Sequence, residues 1–143
     1  IAHNHLKDSI HNHIGTFTPN DLLGLNNLII EQEAQSSPVQ LQEFSAYLVC
    51  DEGNYALKVN NIDKLYDFML KYATDDEFRL EVNLFYKDNN IEHAKEKKDQ
   101  NIGFLKLISN YDIGIDYYEG DENFENWQKL ELNSSSNDIN KKP

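Results

Sequence analysis

Thr18-Pro19-Asn20-Asp21-Leu22-Leu23-Gly24-Leu25 is the stretch whose reading decides the fold. Thr18 offers a hydroxyl to cap a helix, Pro19 suits the first helical position, and Asp21 stands where the acid of a capping box belongs. Leu22, Leu25 and Ile29 then fall on one helical face, with Leu23 and Ile30 beside it. Gly24 weakens the interior slightly, and the helix should fade near Gln35, before Ser36-Ser37-Pro38. Downstream, residues 43–50 read as a strand, Asp51-Glu52-Gly53-Asn54 as a turn and residues 55–59 as a second strand, together a hairpin. Asn60 or Asn61 can cap the next helix, whose apolar positions are Ile62, Leu65, Met69 and Tyr72. Residues 77–109 read as two helices. Phe78, Val82 and Phe85 make the apolar face of one, and Ile102, Leu105 and Ile108 that of the other, with a highly charged segment from Glu92 to Asp99 between them. A strand over 113–118, a turn over 119–122 and a strand over 124–132 complete the pattern, and the polar tail 133–143 is predicted to be disordered. The expected fold is α/β, a mixed sheet flanked by helices, in a single domain over residues 1–132.

The 143 residues suit one core, and 39% hydrophobic and 11% aromatic residues are enough to pack it. The formal charge of −12 argues against nucleic acid and against an anionic membrane surface, because no basic patch exists to displace counterions. It suits solubility, a basic partner or a cation. No stretch is long enough for a transmembrane helix. Cys50 stands alone, which rules out an internal disulfide, and its apolar run Phe44-Ser45-Ala46-Tyr47-Leu48-Val49-Cys50 predicts a buried strand thiol rather than a nucleophile. The chain opens at Ile1 and runs straight into a motif, so it reads as a piece of something longer, with any targeting segment upstream.

The readable chemistry lies between His3 and Asp21. Four of the five histidines fall within eleven residues, as His3-Asn4-His5 and His11-Asn12-His13. Two histidines separated by one residue share a side of an extended strand, so both imidazoles can reach one metal. A carboxylate opening the next helix can supply a third ligand and leave one position for water, the arrangement of a catalytic zinc site. Against this stand a solvated histidine-rich loop and adventitious metal binding, while helix capping alone accounts for Thr18 and Asp21.

His-x-His followed by Thr-x-x-Asp resembles the JAB/MPN family, whose metal-dependent members carry the JAMM motif. The resemblance covers residues 1 to about 60, and implies a cytidine deaminase-like α/β fold there. It implies His3, His5 and Asp21 as zinc ligands and Thr18 in the place of the serine that helps hold the oxyanion. It also implies a glutamate base and leading strands upstream of Ile1. Gly53-Asn54-Tyr55-Ala56-Leu57-Lys58-Val59 resembles the strand that often follows in secreted or surface-associated bacterial relatives. The sequence departs from the pattern in three ways. Leu6 stands where the family usually has proline, the spacer from His5 to Thr18 is long, and threonine replaces serine. His11 and His13 could instead be the ligand pair, but only four residues separate His13 from Thr18, too few for the family geometry, so an insertion carrying this second pair is the preferred reading of the long spacer. The function the resemblance implies is a zinc-dependent peptidase or isopeptidase-like hydrolase acting on a protein or peptide substrate. The alternatives are a non-catalytic interaction domain of the same fold, or an acidic immunity or inhibitor protein for a basic partner.

Other candidates read as structural. His-Asn-His is not an HNH nuclease signature, since that family spreads its residues over a ββα unit and the charge is wrong for DNA. His93 lies in a charged run expected to be a solvated helix. Asp75-Asp76-Glu77 and Asp121-Glu122 read as a helix start and a turn, without the spacing of a calcium loop. Tyr117, Tyr118 and Trp127 read as strand-face packing ahead of a binding groove.

Overall fold

Three of the four helices among the described residues begin where a side chain takes up an unpaired amide group. The computed structural model describes residues 2–5 (as backbone), 16–35, 44–50, 52–91 and 96–143. Helix α1 spans Pro19–Ala34, and Thr18 and Asp21 close its N-terminus as a full capping box. Asn61 caps α2, Ile62–Thr74, by accepting from the Lys64 amide. Asp75 caps α3, Asp76–Asp88, by accepting from the Phe78 amide. Helix α4 spans Lys97–Tyr111 and ends on Asp112 in a left-handed conformation. Two helices therefore do fill residues 77–109, as their spacing predicts.

The strands are β1 Ala2–His5, β2 Ser45–Cys50, β3 Gly53–Val59, β4 Ile115–Gly120, β5 Trp127–Leu132 and β6 Ile139–Lys142. They form one sheet in chain order. β1 pairs parallel with β2, and every other neighbouring pair is antiparallel, so the sheet is mixed. The β2–β3 hairpin forms as expected, but β3 starts at Gly53, two residues earlier than expected, because Gly53 and Asn54 pair with Cys50 and Val49. α1 connects the parallel pair, and α2, α3 and α4 together connect the antiparallel neighbours β3 and β4.

The helices pack on one face of the sheet. Ala46, Leu48, Leu57, Val59, Ile115, Tyr117 and Leu130 supply the sheet side of the core, and Leu22, Leu25, Ile29, Leu65, Met69, Val82, Phe104 and Leu107 the helix side. Tyr47, Lys58, Asp116, Tyr118, Lys129 and Glu131 lie on the opposite face, where Lys129 bridges to Asp116 at 2.8 Å and Lys58 sits over the Tyr118 ring. The expectation of a mixed sheet flanked by helices is thus met on one side of the sheet. Tyr111 anchors the far end of the helical layer, with the rings of Phe68, Phe78 and Phe85 all about it at 5.5–5.6 Å between centroids. α4 buries more than its Ile102–Leu105–Ile108 stripe predicts. Gln100, Asn101, Gly103, Phe104 and Leu107 are buried as well, because this helix is wedged between the sheet and α3.

Three further expectations are corrected. The tail 133–143, read as disordered, contains β6, which pairs with β5 over four positions. Its composition is polar, but Ile139 packs against the core, Lys142 pairs with Glu131, and Asn133 organises the turn by accepting from the amides of Asn137 and Asp138. β4 starts at Ile115, two residues later than expected, because Gly114 (φ +81°) turns the chain and its carbonyl accepts from the amides of Asn60 and Asn61. β5 starts at Trp127, three residues later than expected, because Asp121 holds residues 121–126 in a turn by accepting from the amides of Asn123 and Glu125.

Candidate functional site

In a β–α–β unit whose strands are parallel, the helix carries the chain back along the sheet, so its N-terminus lies at the end where the first strand finishes. β1 finishes at His5, in register with Cys50, the last residue of β2. His3 is in register with Leu48. Of these partners on β2, Leu48 and Cys50 are buried. Ala2 and Asn4 occupy those of Tyr47 and Val49. At the start of α1, Thr16 is buried with its hydroxyl 3.3 Å from that of Tyr117, and Phe17 packs edge-on against the Tyr117 ring at 6.2 Å. These contacts tie the α1 N-terminus to the sheet. His11 and His13 lie outside the described residues, as does His93.

Thr18 and Asp21 are engaged with one another. The Thr18 hydroxyl donates to Asp21 Oδ2 at 2.9 Å, and the Thr18 amide donates to the same oxygen at 2.6 Å. The Asp21 amide returns a longer bond to Thr18 Oγ1 at 3.4 Å. The two bonds from Thr18 fix the direction of the carboxylate at the helix N-terminus. Among the described residues, no group of three or more His, Cys, Asp or Glu side chains is placed to hold a metal.

Behind this end of the sheet runs a buried polar chain that the sequence reading missed. Tyr117 donates to Asn101 Oδ1 at 2.8 Å. Beside it, the Asn101 side chain acts on the Tyr55 hydroxyl, which donates to Glu119 Oε1 at 3.3 Å. Lys141 closes the chain at the surface by pairing with Glu119. The Tyr55 and Tyr117 rings stack at 5.6 Å. Burial pushes both phenols well above their ordinary range, so they act as neutral donors and acceptors. Cys50 is buried as expected and its thiol donates to the Gly53 carbonyl at 3.4 Å.

Lys97, the first residue of α4, lies against this chain. Its Nζ sits 3.8 Å from the centre of the Tyr55 ring, shut off from solvent and without a hydrogen-bond partner among the described residues. Burial lowers its pKa to about 8, against the opposing pull of Cys50, Glu52 and Glu119. A cleft of 430 Å³ opens beside it, lined by Tyr55, Asn101, Glu119, Leu130 and Ile139 among others. Sequence alone placed Lys97 in a charged run expected to face water. The one available signal was position: it stands seven residues before Phe104, on the helical face that Asn101 and Phe104 bury.

Comparison of the chain with protein-family models, curated proteins and solved structures yields no match. No helix among the described residues is long and apolar enough to cross a membrane.

Proposed function

We propose that this domain is a zinc-dependent hydrolase of protein or peptide amide bonds, with the metal on His3, His5 and Asp21. The observation that carries this reading is the parallel β1–α1–β2 unit. It sets the end of a His-x-His strand and the N-terminus of the helix bearing Asp21 at one end of the sheet. The donor set fits the metal: two imidazoles two residues apart on a strand, and a carboxylate whose direction the capping box fixes. Zinc held by these residues would supply Lewis-acid polarisation of a carbonyl and activation of a water at neutral pH. Thr18 then has a second task. Its hydroxyl, given to Asp21 in the cap, would turn to a developing oxyanion, while the Thr18 amide would keep Asp21 in place. A glutamate upstream of Ile1 would take the water proton.

The test is metal content and peptide hydrolysis by the chain extended upstream. Stoichiometric zinc, lost in His3→Ala, His5→Ala and Asp21→Asn, is the expected result. Asn at position 21 keeps an acceptor for the cap, so its loss of metal is not a folding effect. Absence of zinc, or retention of zinc by all three variants, rejects the reading.

One observation favours a second reading, a non-catalytic interaction domain. The sheet face away from the helices carries Tyr47, 38% exposed, whose ring meets Trp127 edge-on at 5.7 Å. Phe124, 46% exposed, packs on the same indole. Exposed aromatics of this kind are frequent in protein interfaces. Unchanged partner binding by the metal-ligand variants would support this second reading.

A further inference from the structure

A lysine amine enclosed by protein has two stable outcomes. It stays charged and finds an acceptor, or it gives up its proton and becomes a nucleophile. Lys97 Nζ has no acceptor among the described residues, and it sits over the face of the Tyr55 ring. The other cations at the same cleft are already matched, Lys98 with Asp138 at 2.8 Å and Lys141 with Glu119. Glu52 and Glu119 are the acids whose charge acts on Lys97, and with Asp138 they balance the three lysines of the cleft, so the lining carries no net charge to draw an anionic ligand. The chain as a whole carries −12. The cleft also offers apolar walls at Leu130 and Ile139, and a proton donor in the Tyr55 hydroxyl, itself bonded to Glu119.

From this juxtaposition we infer that Lys97 is an imine-forming lysine, and that the cleft over Tyr55 and Glu119 receives a small uncharged aldehyde or ketone. The lone pair of the Lys97 amine attacks the carbonyl carbon and forms the C–N bond. The carbonyl oxygen takes the electron pair and the proton that the attacking nitrogen releases, giving a carbinolamine. Nitrogen then pushes out the hydroxyl, which leaves as water on a proton relayed through the Tyr55 hydroxyl, and the proton that the nitrogen loses restores that hydroxyl and leaves a neutral imine. Amine and carbonyl have become imine and water, with no oxidant or reductant consumed. The groups facing Lys97 from the packed elements are Cys50 on β2, Glu52 in the turn, Tyr55 on β3 and Glu119 on β4. Its pKa of about 8 leaves a substantial neutral fraction near pH 7, where an exposed lysine has almost none. Approach to Nζ requires the Lys98–Asp138 and Lys141–Glu119 pairs at the rim to part, and surface ion pairs of this kind contribute little to hold them. This assignment uses none of the proposed zinc ligands and stands or falls apart from them.

The intact protein is incubated with butyraldehyde and sodium cyanoborohydride, which reduces the imine to a stable butyl-lysine, and each lysine is followed by peptide mass mapping. At pH 7 Lys97 should be labelled on the order of tenfold to a hundredfold faster than exposed lysines such as Lys98 in the same molecule. Its rate should level off near pH 8 while theirs keeps rising. Tyr55→Phe should slow labelling at Lys97 roughly tenfold or more, leaving Lys98 unchanged. The comparison within the wild-type molecule needs no variant to fold. Labelling of Lys97 at or below the rate of the exposed lysines overturns the assignment. So does a rate at Lys97 that rises in parallel with theirs across this range.

Discussion

Tyr117, on β4, donates its hydroxyl to Asn101 Oδ1 on α4 across 2.8 Å in the buried centre of the domain. Because the Tyr117 proton is committed there, the Thr16 hydroxyl at 3.3 Å donates its own to the phenol oxygen. One side chain thus ties the α1 N-terminus, the sheet and α4 together.

Removing that hydroxyl leaves Asn101, only 4% exposed, with an unsatisfied acceptor. Tyr117→Phe is expected to cost about 1–3 kcal/mol, read as a lower midpoint in urea with an unchanged slope. Wild-type stability in this variant would show that the buried bond contributes nothing net.

Gly103 is where α4 crosses the end of α3. A Cβ built there would stand 2.1 Å from the Asn89 carbonyl oxygen and 2.8 Å from Ile91, a clash with backbone that no rotamer relieves. Gly103→Ala should destabilise by about 1–3 kcal/mol despite alanine's better helix propensity. A gain in stability on thermal unfolding would mean the two helices are free to separate.

The capping box makes its own demand on Thr18. Thr18→Ala removes the hydroxyl that accepts from the Asp21 amide and donates to the Asp21 carboxylate, and should lower stability by about 1 kcal/mol. Thr18→Ser should recover most of this. Equal losses in the two variants would point to the methyl group, and so to packing, as the source.

Deleting residues 134–143 removes β6 and leaves β5 as a bare edge. It also strips Ile139 from the core and Lys141 from Glu119. The truncated chain is expected to melt several degrees lower and to aggregate more readily, since an uncovered edge strand invites pairing. A truncated chain with an unchanged melting temperature would return these residues to the status of an unstructured tail.

Lys97 also gives stability a pH signature. Its folded pKa, about 8, lies below the ordinary 10.5, so between those values the unfolded chain binds more protons than the folded one. Stability contributed by this group therefore rises as pH increases from about 8 to 10.5, and is least where both forms are charged, below 8. Lys97→Met removes the buried charge. It should stabilise the domain at pH 7 and flatten this rise, in chemical unfolding measured at pH 7, 8 and 9. A Lys97→Met variant less stable than wild type at pH 7 would mean the ammonium is well accommodated as a cation.

The legible parts of the fold were local ones. Thr18 and Asp21 declare a helix start because a cap is made by residues three apart, and Asn61 and Asp75 do the same for α2 and α3. The β2–β3 hairpin is legible for the same reason, its partners being close in the chain. β6 was illegible because Ile139 is one apolar residue in a polar tail, and what orders it is Glu119, Glu131 and β5. The proposed zinc residues were likewise legible as a spacing, His-x-His and Thr-x-x-Asp, since each pair is local.

Sequence by itself determined the α/β class, three of the four helix starts, the first hairpin and the candidate metal motif, all of them matters of near neighbours. Only the tertiary structure decided that the helices share one side of the sheet, that β1 runs parallel beside β2, and that Lys97 is sealed against Tyr55. The physical reason is that desolvation belongs to a place rather than to a residue. A lysine four residues from Asn101 in sequence is a solvated charge or an enclosed amine according to which strand ends beside it.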